Sequence, residues 1–236
     1  MADLFKFHRF DVRHRDSALK VGTDAVLLGA GMTIGDDAEN ALDIGTGCGV
    51  IALMVAQRTE GKCRITGIDI DGLSAEEAAW NFARSPWGEM LSAQHCSLDE
   101  FCDARPEGEF DLIFSNPPYY DDSLINPDIR EAAARHTHSL SHQGLCSCVN
   151  HLLSPQGRFC VVLPADSFVR FRRIAASFGL LPYRLLEVST TNTKPASRIV
   201  AEFSRNIKTT VREAMFLQCN GVRSEEFAEL TKDFYL

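Results

Sequence analysis

The sequence predicts an α/β fold in which helices cover both faces of a mostly parallel β-sheet. Short apolar runs alternate with segments of helical periodicity over most of the 236 residues, the pattern that βαβ units produce. A glycine-rich segment, Asp43–Gly49, joins the first run to the first helical segment. Because 45% of the residues are hydrophobic, we expect residues 1–236 to form a single domain, with a basic extension at residues 1–35.

The predicted elements follow from these runs in chain order. The predicted parallel strands are Ala41–Ile44, Cys63–Asp69, Ser92–Cys96, Phe110–Ser115 and Gly157–Leu163. The segments with helical spacing are Val50–Arg58, Leu73–Ala83, Leu140–Leu152 and Asp166–Phe178. Right-handed crossovers between such strands place their carboxyl ends along one edge of the sheet.

The pattern changes near the carboxyl terminus. Tyr183–Ser189 and Ser197–Phe203 are two further strand-like runs joined only by a short polar loop. A connection that short predicts antiparallel neighbours. Met215–Gln218 is predicted to be one more edge strand, and Glu225–Lys232 a terminal helix.

Composition and cysteine spacing exclude several classes of protein. No apolar run reaches the length of a membrane span, about 18 residues. The eight cysteines contain no CxxC pair, so we expect reduced thiols in a cytoplasmic protein and no zinc site. His136 and His138 lack further ligands in the sequence, and we therefore expect no metal. The net charge of −8 is uneven, since the acids concentrate before residue 112 and the bases between Arg158 and Arg212.

The glycine-rich segment is the first sign of a ligand. Its glycines, Gly45, Gly47 and Gly49, form G-x-G-x-G, whereas a dinucleotide-binding loop would place a third glycine where Val50 stands. A pyrophosphate would be repelled by the carboxylate of Asp43 at the entrance of the loop. An ammonium group would be attracted, and the amino-acid end of S-adenosylmethionine (SAM) carries one.

Two further strand ends supply the other contacts that this cofactor needs. Asp69, followed by Ile70, comes twenty residues after Gly49, the separation expected of an acid that accepts hydrogen bonds from ribose hydroxyls. Ser97 and Leu98 follow the next strand, where we expect the adenine ring to bind. Together and in this order, the three strand ends predict a SAM site.

Asn116-Pro117-Pro118-Tyr119 follows the fourth predicted strand and predicts methyl transfer to an amino nitrogen. The amide oxygen of Asn116 and the carbonyl oxygen of Pro117 can accept hydrogen bonds from an –NH₂ group and so localise its lone pair. The two prolines restrict the backbone that aims the carbonyl. Tyr119 offers a ring face on which a base can stack. The alternative for the tetrapeptide by itself is a rigid turn.

Basic residues near the amino terminus and near the carboxyl-terminal hairpin can contact a polyanion. Arg9, Arg13 and Arg15 precede the first predicted strand, and Lys194 and Arg198 flank the short hairpin. They either follow an RNA backbone or are solvated surface residues. Phe5, Phe7 and Phe10 can stack on bases, although core packing is the commoner role of such residues.

The ordered motifs resemble a known family. Asp43–Gly49, Asp69 and Asn116–Tyr119 resemble the class I SAM-dependent methyltransferases that act on amino nitrogens. Over nearly the whole chain the sequence further resembles the bacterial valine-tRNA adenine-37 N6-methyltransferases. The segments that carry this second resemblance are Phe10–Ala30, Arg135–Thr137, Lys194–Arg198 and Leu230–Leu236.

The resemblance implies a Rossmann-like, seven-stranded sheet of order 3-2-1-4-5-7-6 with an antiparallel terminal hairpin. It also implies that Lys20, Thr23 and Asp24 cover the SAM methionine, and that Arg135 contacts tRNA. The substrate adenine would be flipped from the anticodon loop into a pocket beside Tyr119, and S-adenosylhomocysteine would be released. Many relatives carry an acid where Ser97 stands, so Asp99 is an alternative contact to the SAM adenine. We expect a monomer with no membrane partner.

Three other functions fit part of the pattern. A protein glutamine N5-methyltransferase uses the same tetrapeptide, but such enzymes usually carry a long amino-terminal helical domain, and only about forty residues precede the first predicted strand here. A ribosomal RNA guanine N2-methyltransferase tends to have phenylalanine in place of Tyr119. A non-catalytic RNA-binding protein could retain SAM only structurally.

Overall fold

The computed structural model describes residues 4–117, 140–206 and 209–235. The described strands are β1 (Leu4–Lys6), β2 (Asp11–Arg13), β3 (Asn40–Ile44), β4 (Arg64–Asp69), β5 (Leu91–His95), β6 (Phe110–Ser115), β7 (Leu153–Pro164), β8 (Leu181–Thr191), β9 (Ala196–Ser204), β10 (Val211–Cys219) and β11 (Val222–Arg223). The described helices are α1 (Thr23–Gly31), α2 (Val50–Arg58), α3 (Gly72–Arg84), α4 (Leu98–Asp103), α5 (His142–Leu152), α6 (Ala165–Ser177) and α7 (Glu225–Thr231).

The main sheet has the order β11-β10-β8-β9-β7-β6-β3-β4-β5 among the described strands. Its seven strands from β5 to β8 reproduce the predicted order 3-2-1-4-5-7-6, which is confirmed. β9 is antiparallel to both β7 and β8, as the short connection predicted. Two strands extend the sheet beyond that order: β10, which contains the predicted Met215–Gln218 and is parallel to β8, and the short β11.

Helices lie on both faces of the sheet, as the sequence predicted. Alternate residues of one strand enter opposite cores: Leu112 and Phe114 of β6 belong to one buried cluster, and Ile113 belongs to the other. This alternation follows from the two-residue repeat of a strand. α1, α2, α3 and α7 cover the first face, whereas α4, α5 and α6 cover the second.

The amino-terminal extension contains a β-hairpin and a helix that the sequence reading missed. β1 and β2 form a separate two-stranded sheet. Phe7 and Phe10 are buried, with ring centroids 4.6 Å apart, and Phe7 also stacks on Tyr235 near the carboxyl terminus. These two phenylalanines therefore pack in the core. α1 is almost wholly buried, so it lacks the amphipathic pattern that would have predicted it.

Candidate active site

The register of the central strands brings the predicted cofactor and catalytic residues to one level. Ile44 of β3 pairs with Ile68 of β4 on one side and with Ser115 of β6 on the other. The next residues along the three strands are Gly45, Asp69 and Asn116. Since neighbouring strands lie about 4.8 Å apart, Asp69 and Asn116 are separated by roughly 10 Å across the glycine loop. We call this level the catalytic edge of the sheet.

The glycine loop has a backbone that other residues would strain. Gly45, Gly47 and Gly49 have φ values of 72°, 55° and 81°, all in the left-handed region that glycine tolerates. Among the described residues, a Cβ on Gly45 or Gly47 would meet no atom within 4 Å, whereas one on Gly49 would lie 2.4 Å from the ring of Phe82. The first two glycines therefore border open space for a ligand, and the third lets α2 start close to α3.

Asp43 is wholly buried beneath this loop. Its Oδ2 accepts a hydrogen bond of 2.8 Å from the hydroxyl of Thr46, while its Oδ1 has no hydrogen-bond partner in the part of the chain that the structure describes. Burial raises the pKa of Asp43 to about 7, and the carboxylate of Asp69 adds to the shift, against the opposing bond from Thr46. An orphaned buried oxygen suits a cationic partner such as the SAM ammonium group.

Both carboxylate oxygens of Asp69 accept backbone hydrogen bonds, and one of these bonds holds the glycine loop in place. Oδ2 accepts from the backbone N–H of Gly47 at 2.8 Å, and Oδ1 accepts from that of Asp71 at 2.9 Å. Burial raises the pKa of Asp69, although these two backbone bonds oppose the shift. Each oxygen keeps a lone pair that can accept from a ribose hydroxyl.

The predicted adenine contacts lie beyond Asp69. Ile70 is 48% exposed, so it offers an apolar surface at the catalytic edge. His95, at the end of β5, lies beside it, with Nε2 3.1 Å from the carbonyl oxygen of Ile70. The hydroxyl of Ser97 is engaged in a capping box with Glu100 at the start of α4, and Leu98 is buried. Ser97 as an acceptor for the SAM adenine stays a prediction.

The catalytic tetrapeptide begins where β6 ends. Ser115 is buried and its hydroxyl donates to the carbonyl oxygen of Ile44, which ties the end of β6 to β3. Asn116 follows and is partly buried, and Pro117 is buried. Pro118 and Tyr119 lie outside the described residues.

The segment predicted to cover the cofactor reaches the same edge. Arg198 of β9 pairs with Pro164 at the carboxyl end of β7, and its Nε donates to both carboxylate oxygens of Asp24 at 3.0 and 2.9 Å. The Nζ of Lys20 donates to the carbonyl oxygen of Arg15 at 2.8 Å. Thr23 is exposed at the start of α1.

The arginines predicted to bind RNA have protein partners. Arg9 forms an ion pair of 2.7 Å with Glu60, which follows α2 at the edge opposite the catalytic one. Arg13 forms an ion pair of 3.0 Å with the buried Glu77. Arg15 pairs with Asp16 at 2.9 Å. Their contribution to RNA binding stays a prediction.

Of the two other residues predicted to contact RNA, the structure describes one. Lys194 lies in the β8–β9 turn at the catalytic edge and is exposed. Arg135 lies outside the described residues.

Several positioning residues were not found from the sequence. Glu77 of α3 accepts from the backbone N–H groups of Arg15, Asp16 and Ser17, and so fixes the chain ahead of Lys20. Asn81, one turn later, joins that segment to the glycine loop through the carbonyl oxygen of Cys48. Glu77 and Asn81 are polar residues at positions of α3 where the helical pattern predicts apolar ones, and this mismatch could have indicated their role.

Other features of the described residues lie apart from this edge. No three potential metal-ligating side chains meet within 4–117, 140–206 and 209–235, and none of the helices described there has the length and apolarity to span a membrane. An open depression of about 530 Å³ lies at the opposite edge of the sheet, lined by residues near Glu60 and Trp87. It is remote from the candidate active site.

Comparison with known proteins identifies the family. A model of the methyltransferase small domain matches residues 19–179. A tRNA1(Val) (adenine(37)-N6)-methyltransferase of Bacteroides fragilis is 40% identical, with 98% of this chain and 97% of the relative covered. The chain belongs to this methyltransferase family. A relative of the same name from Yersinia pestis is 38% identical over 98% of this chain and 93% of its own length.

A solved structure supports the fold independently. A protein from Agrobacterium tumefaciens, described as a predicted O-methyltransferase, superposes with a TM-score of 0.70 at 16% identity, covering 89% of this chain and 96% of its own. That likeness establishes the class I methyltransferase fold. As a member of its family, the chain is a SAM-dependent methyltransferase, which the sequence predicted.

The residues at the catalytic edge fit SAM. The open space beside Gly45 and Gly47 leaves room for the methionine part, and the orphaned Oδ1 of Asp43 provides an acceptor for a cation. Asp69 ends β4, one strand away from Asp43, where its carboxylate can accept hydrogen bonds from ribose hydroxyls. These are separate observations on two strands, and each matches a different chemical group of one ligand.

Proposed function

We propose that this catalytic edge transfers the methyl group of SAM to N6 of adenine 37 in tRNA1(Val). The names of the full-length relatives support this substrate. The observation that carries the chemistry is the common level of Asp69 and Asn116 on either side of the glycine loop. A cofactor held at the loop and at Asp69 would thus extend toward the strand end that carries Asn116.

Each polar group at this edge has one task in the reaction. When bound, SAM supplies a methyl group on a positively charged sulfur. The amide oxygen of Asn116 and the carbonyl oxygen of Pro117 would each accept a hydrogen bond from one N6–H of the adenine and draw the nitrogen toward tetrahedral geometry. The nitrogen lone pair would then face the methyl carbon in line, at about 3–3.5 Å.

The same neutral oxygens stabilise the charge that develops. Positive charge passes to the amino nitrogen as the new bond forms, and acceptors already in place strengthen their hydrogen bonds to it. The methylated nitrogen is acidic while it carries this charge and loses a proton to water, so no strong base is needed. We assign Pro118 the role of restricting the backbone and Tyr119 that of stacking on the flipped adenine, worth about 1–3 kcal/mol per base.

Mass spectrometry of nucleosides tests the proposal. Unmodified tRNA1(Val) incubated with the protein and isotope-labelled SAM should yield labelled N6-methyladenosine, located at position 37 by nuclease mapping. A transcript with guanine at position 37 is the matched control and should stay unlabelled. In parallel incubations with ribosomal RNA or with a protein extract, label in N2-methylguanosine or in glutamine, together with unlabelled tRNA, would instead support one of the alternative substrates.

A further inference from the structure

The stretch from Leu140 to Leu180 carries positive charge in an otherwise acidic chain. It contains four arginines and a single acid, Asp166, although the whole chain has a net charge of −8. Three of these arginines lie on α6. This stretch is therefore positively charged, whereas the chain as a whole is negatively charged. The arginines of α6 lie on the exposed surface of that helix.

One side of α6 is fixed in the core and the other is open. Phe168, Phe171 and Ala175 are buried at helical spacing. Arg172 and Arg173 are exposed, as is Val169 at 50%, one turn earlier on the helix surface. We call Val169, Arg172 and Arg173 the outer face of α6.

The guanidinium groups of the outer face differ from those of the described arginines that the sequence predicted to bind RNA. Arg9, Arg13, Arg15 and Arg198 each have an acidic partner. Within the described parts of the chain, neither Arg172 nor Arg173 forms an ion pair or a side-chain hydrogen bond. An unpaired arginine can bind a phosphate without first losing a carboxylate.

The outer face is also close to the reaction. α6 begins at Ala165, directly after the carboxyl end of β7, and β7 is paired with β6, which ends beside Asn116. Arg172 and Arg173 lie about 11–12 Å along the helix from that start. A structured RNA whose base enters the catalytic edge therefore has other nucleotides within reach of the helix.

We propose that the outer face of α6 binds the phosphate backbone of the tRNA stem next to the methylated loop. The inference rests on the proposed function, which supplies the RNA, and it adds a surface outside the reacting groups. Val169 would contact sugar atoms beside the two arginines. Contacts of this kind position an RNA and carry no base specificity.

The test removes both charges and measures tRNA binding and methylation. For Arg172→Ala/Arg173→Ala, we expect the KM for tRNA to rise about tenfold with kcat within about twofold of wild type. The slope of log binding constant against log salt should become shallower by about 2, one unit per lost phosphate contact. Arg172→Lys/Arg173→Lys keeps both charges and should restore most of the binding.

A matched control removes two exposed charges from the other edge. Lys62 lies just before β4, Arg64 begins it, and both are exposed, so Lys62→Ala/Arg64→Ala makes the same change in net charge and should leave the KM for tRNA unchanged. SAM affinity reports whether each variant is folded.

The outcomes separate the two proposals. A wild type that methylates tRNA together with an unchanged KM and salt slope in the α6 variant would overturn the outer-face inference alone. An equal rise of the KM for tRNA in the control variant would show that net charge alone is responsible, and would also overturn the outer-face inference. A wild type that methylates no tRNA would contradict the proposed function, and with it the inference.

Discussion

Arg198 and Asp24, which are 174 residues apart in the chain, form an ion pair in which one guanidinium N–H donates to both carboxylate oxygens. The sequence assigned Arg198 to the RNA and Asp24 to the cofactor. Their contact joins the start of α1 to β9 at the catalytic edge. We infer that Arg198 acts on the cofactor segment by holding Asp24.

A double-mutant cycle tests this coupling. Asp24→Ala and Arg198→Ala should each weaken SAM binding, and the double variant should be weaker by less than their sum. Because the pair is partly exposed, we expect a coupling energy of about 0.5–1 kcal/mol by calorimetry. Strictly additive losses would show that the two side chains act separately.

Asn116→Ala should lower turnover while SAM affinity stays nearly constant. The amide oxygen is proposed to act on the adenine in the transition state, so we expect kcat to fall at least about tenfold. Single-turnover kinetics with tRNA and calorimetry with SAM measure the two effects. Ser115→Ala, which removes the adjacent hydroxyl bond to Ile44, is a control for local disruption of β6. Equal losses of turnover and SAM affinity in Asn116→Ala would refute the assigned role.

Asp69→Ala should weaken SAM binding about tenfold or more, since hydrogen bonds to a charged group contribute about 1.5–3 kcal/mol. The loss would combine the ribose contact with the release of the Gly47 N–H. Calorimetry gives the affinity. Asp71→Ala serves as the comparison, because Asp71 caps α3 through Ser74 and should cost about 1 kcal/mol of stability with little effect on SAM. Unaltered SAM affinity in Asp69→Ala would remove it from the site.

Asp43 should give the protein a pH-dependent stability. Its folded pKa of about 7 lies well above the ordinary value of an aspartate, so between these values the folded state keeps a proton that the unfolded state has released. The contribution to stability is therefore greatest below about pH 4 and falls as the pH rises to about 7. Asp43→Asn should flatten this part of the profile in urea unfolding. Parallel profiles for the two proteins would contradict the shift.

Glu77→Gln should loosen the segment that leads to Lys20. The Glu77 side chain is fully buried in its ion pair with Arg13, and backbone N–H bonds from Ser17 and Asp16 outweigh the effect of burial and lower its pKa. We expect a loss of about 2 kcal/mol in the free energy of unfolding. The difference should be present above the ordinary pKa of glutamate and diminish at lower pH. Glu76 is an exposed neighbour, and Glu76→Gln should leave the free energy of unfolding unchanged. Equal losses of stability in the two variants would show that the removed charge alone is responsible.

Local patterns were sufficient for most of the sheet and for the motifs. The strands Ala41–Ile44 and Phe110–Ser115 are apolar on both faces, as buried parallel strands must be, and their observed bounds agree within one residue. The glycines of the cofactor loop were predicted from spacing, and all three have left-handed φ values. Glycine is therefore required at these positions for the backbone conformation as much as for the space that a ligand needs.

α1 and the amino-terminal hairpin could not be read locally. α1 is apolar on every side because α2, β7 and β9 surround it, and periodicity vanishes in a helix without a solvent face. The β1–β2 strands have three residues each, which is too short for a recognisable alternation. Both elements exist because of what packs against them.

The amino-acid sequence by itself determined the methyltransferase motifs and the edge at which they meet, since each motif directly follows a strand of one parallel sheet. The strand order came from the family that these motifs resemble. The tertiary structure decided which charges are already neutralised. Arg9, Arg13 and Arg198 meet Glu60, Glu77 and Asp24 across long separations, and no local pattern encodes such pairs. Only the folded chain distinguishes them from Arg172 and Arg173, which have no ion pair within the described parts of the chain.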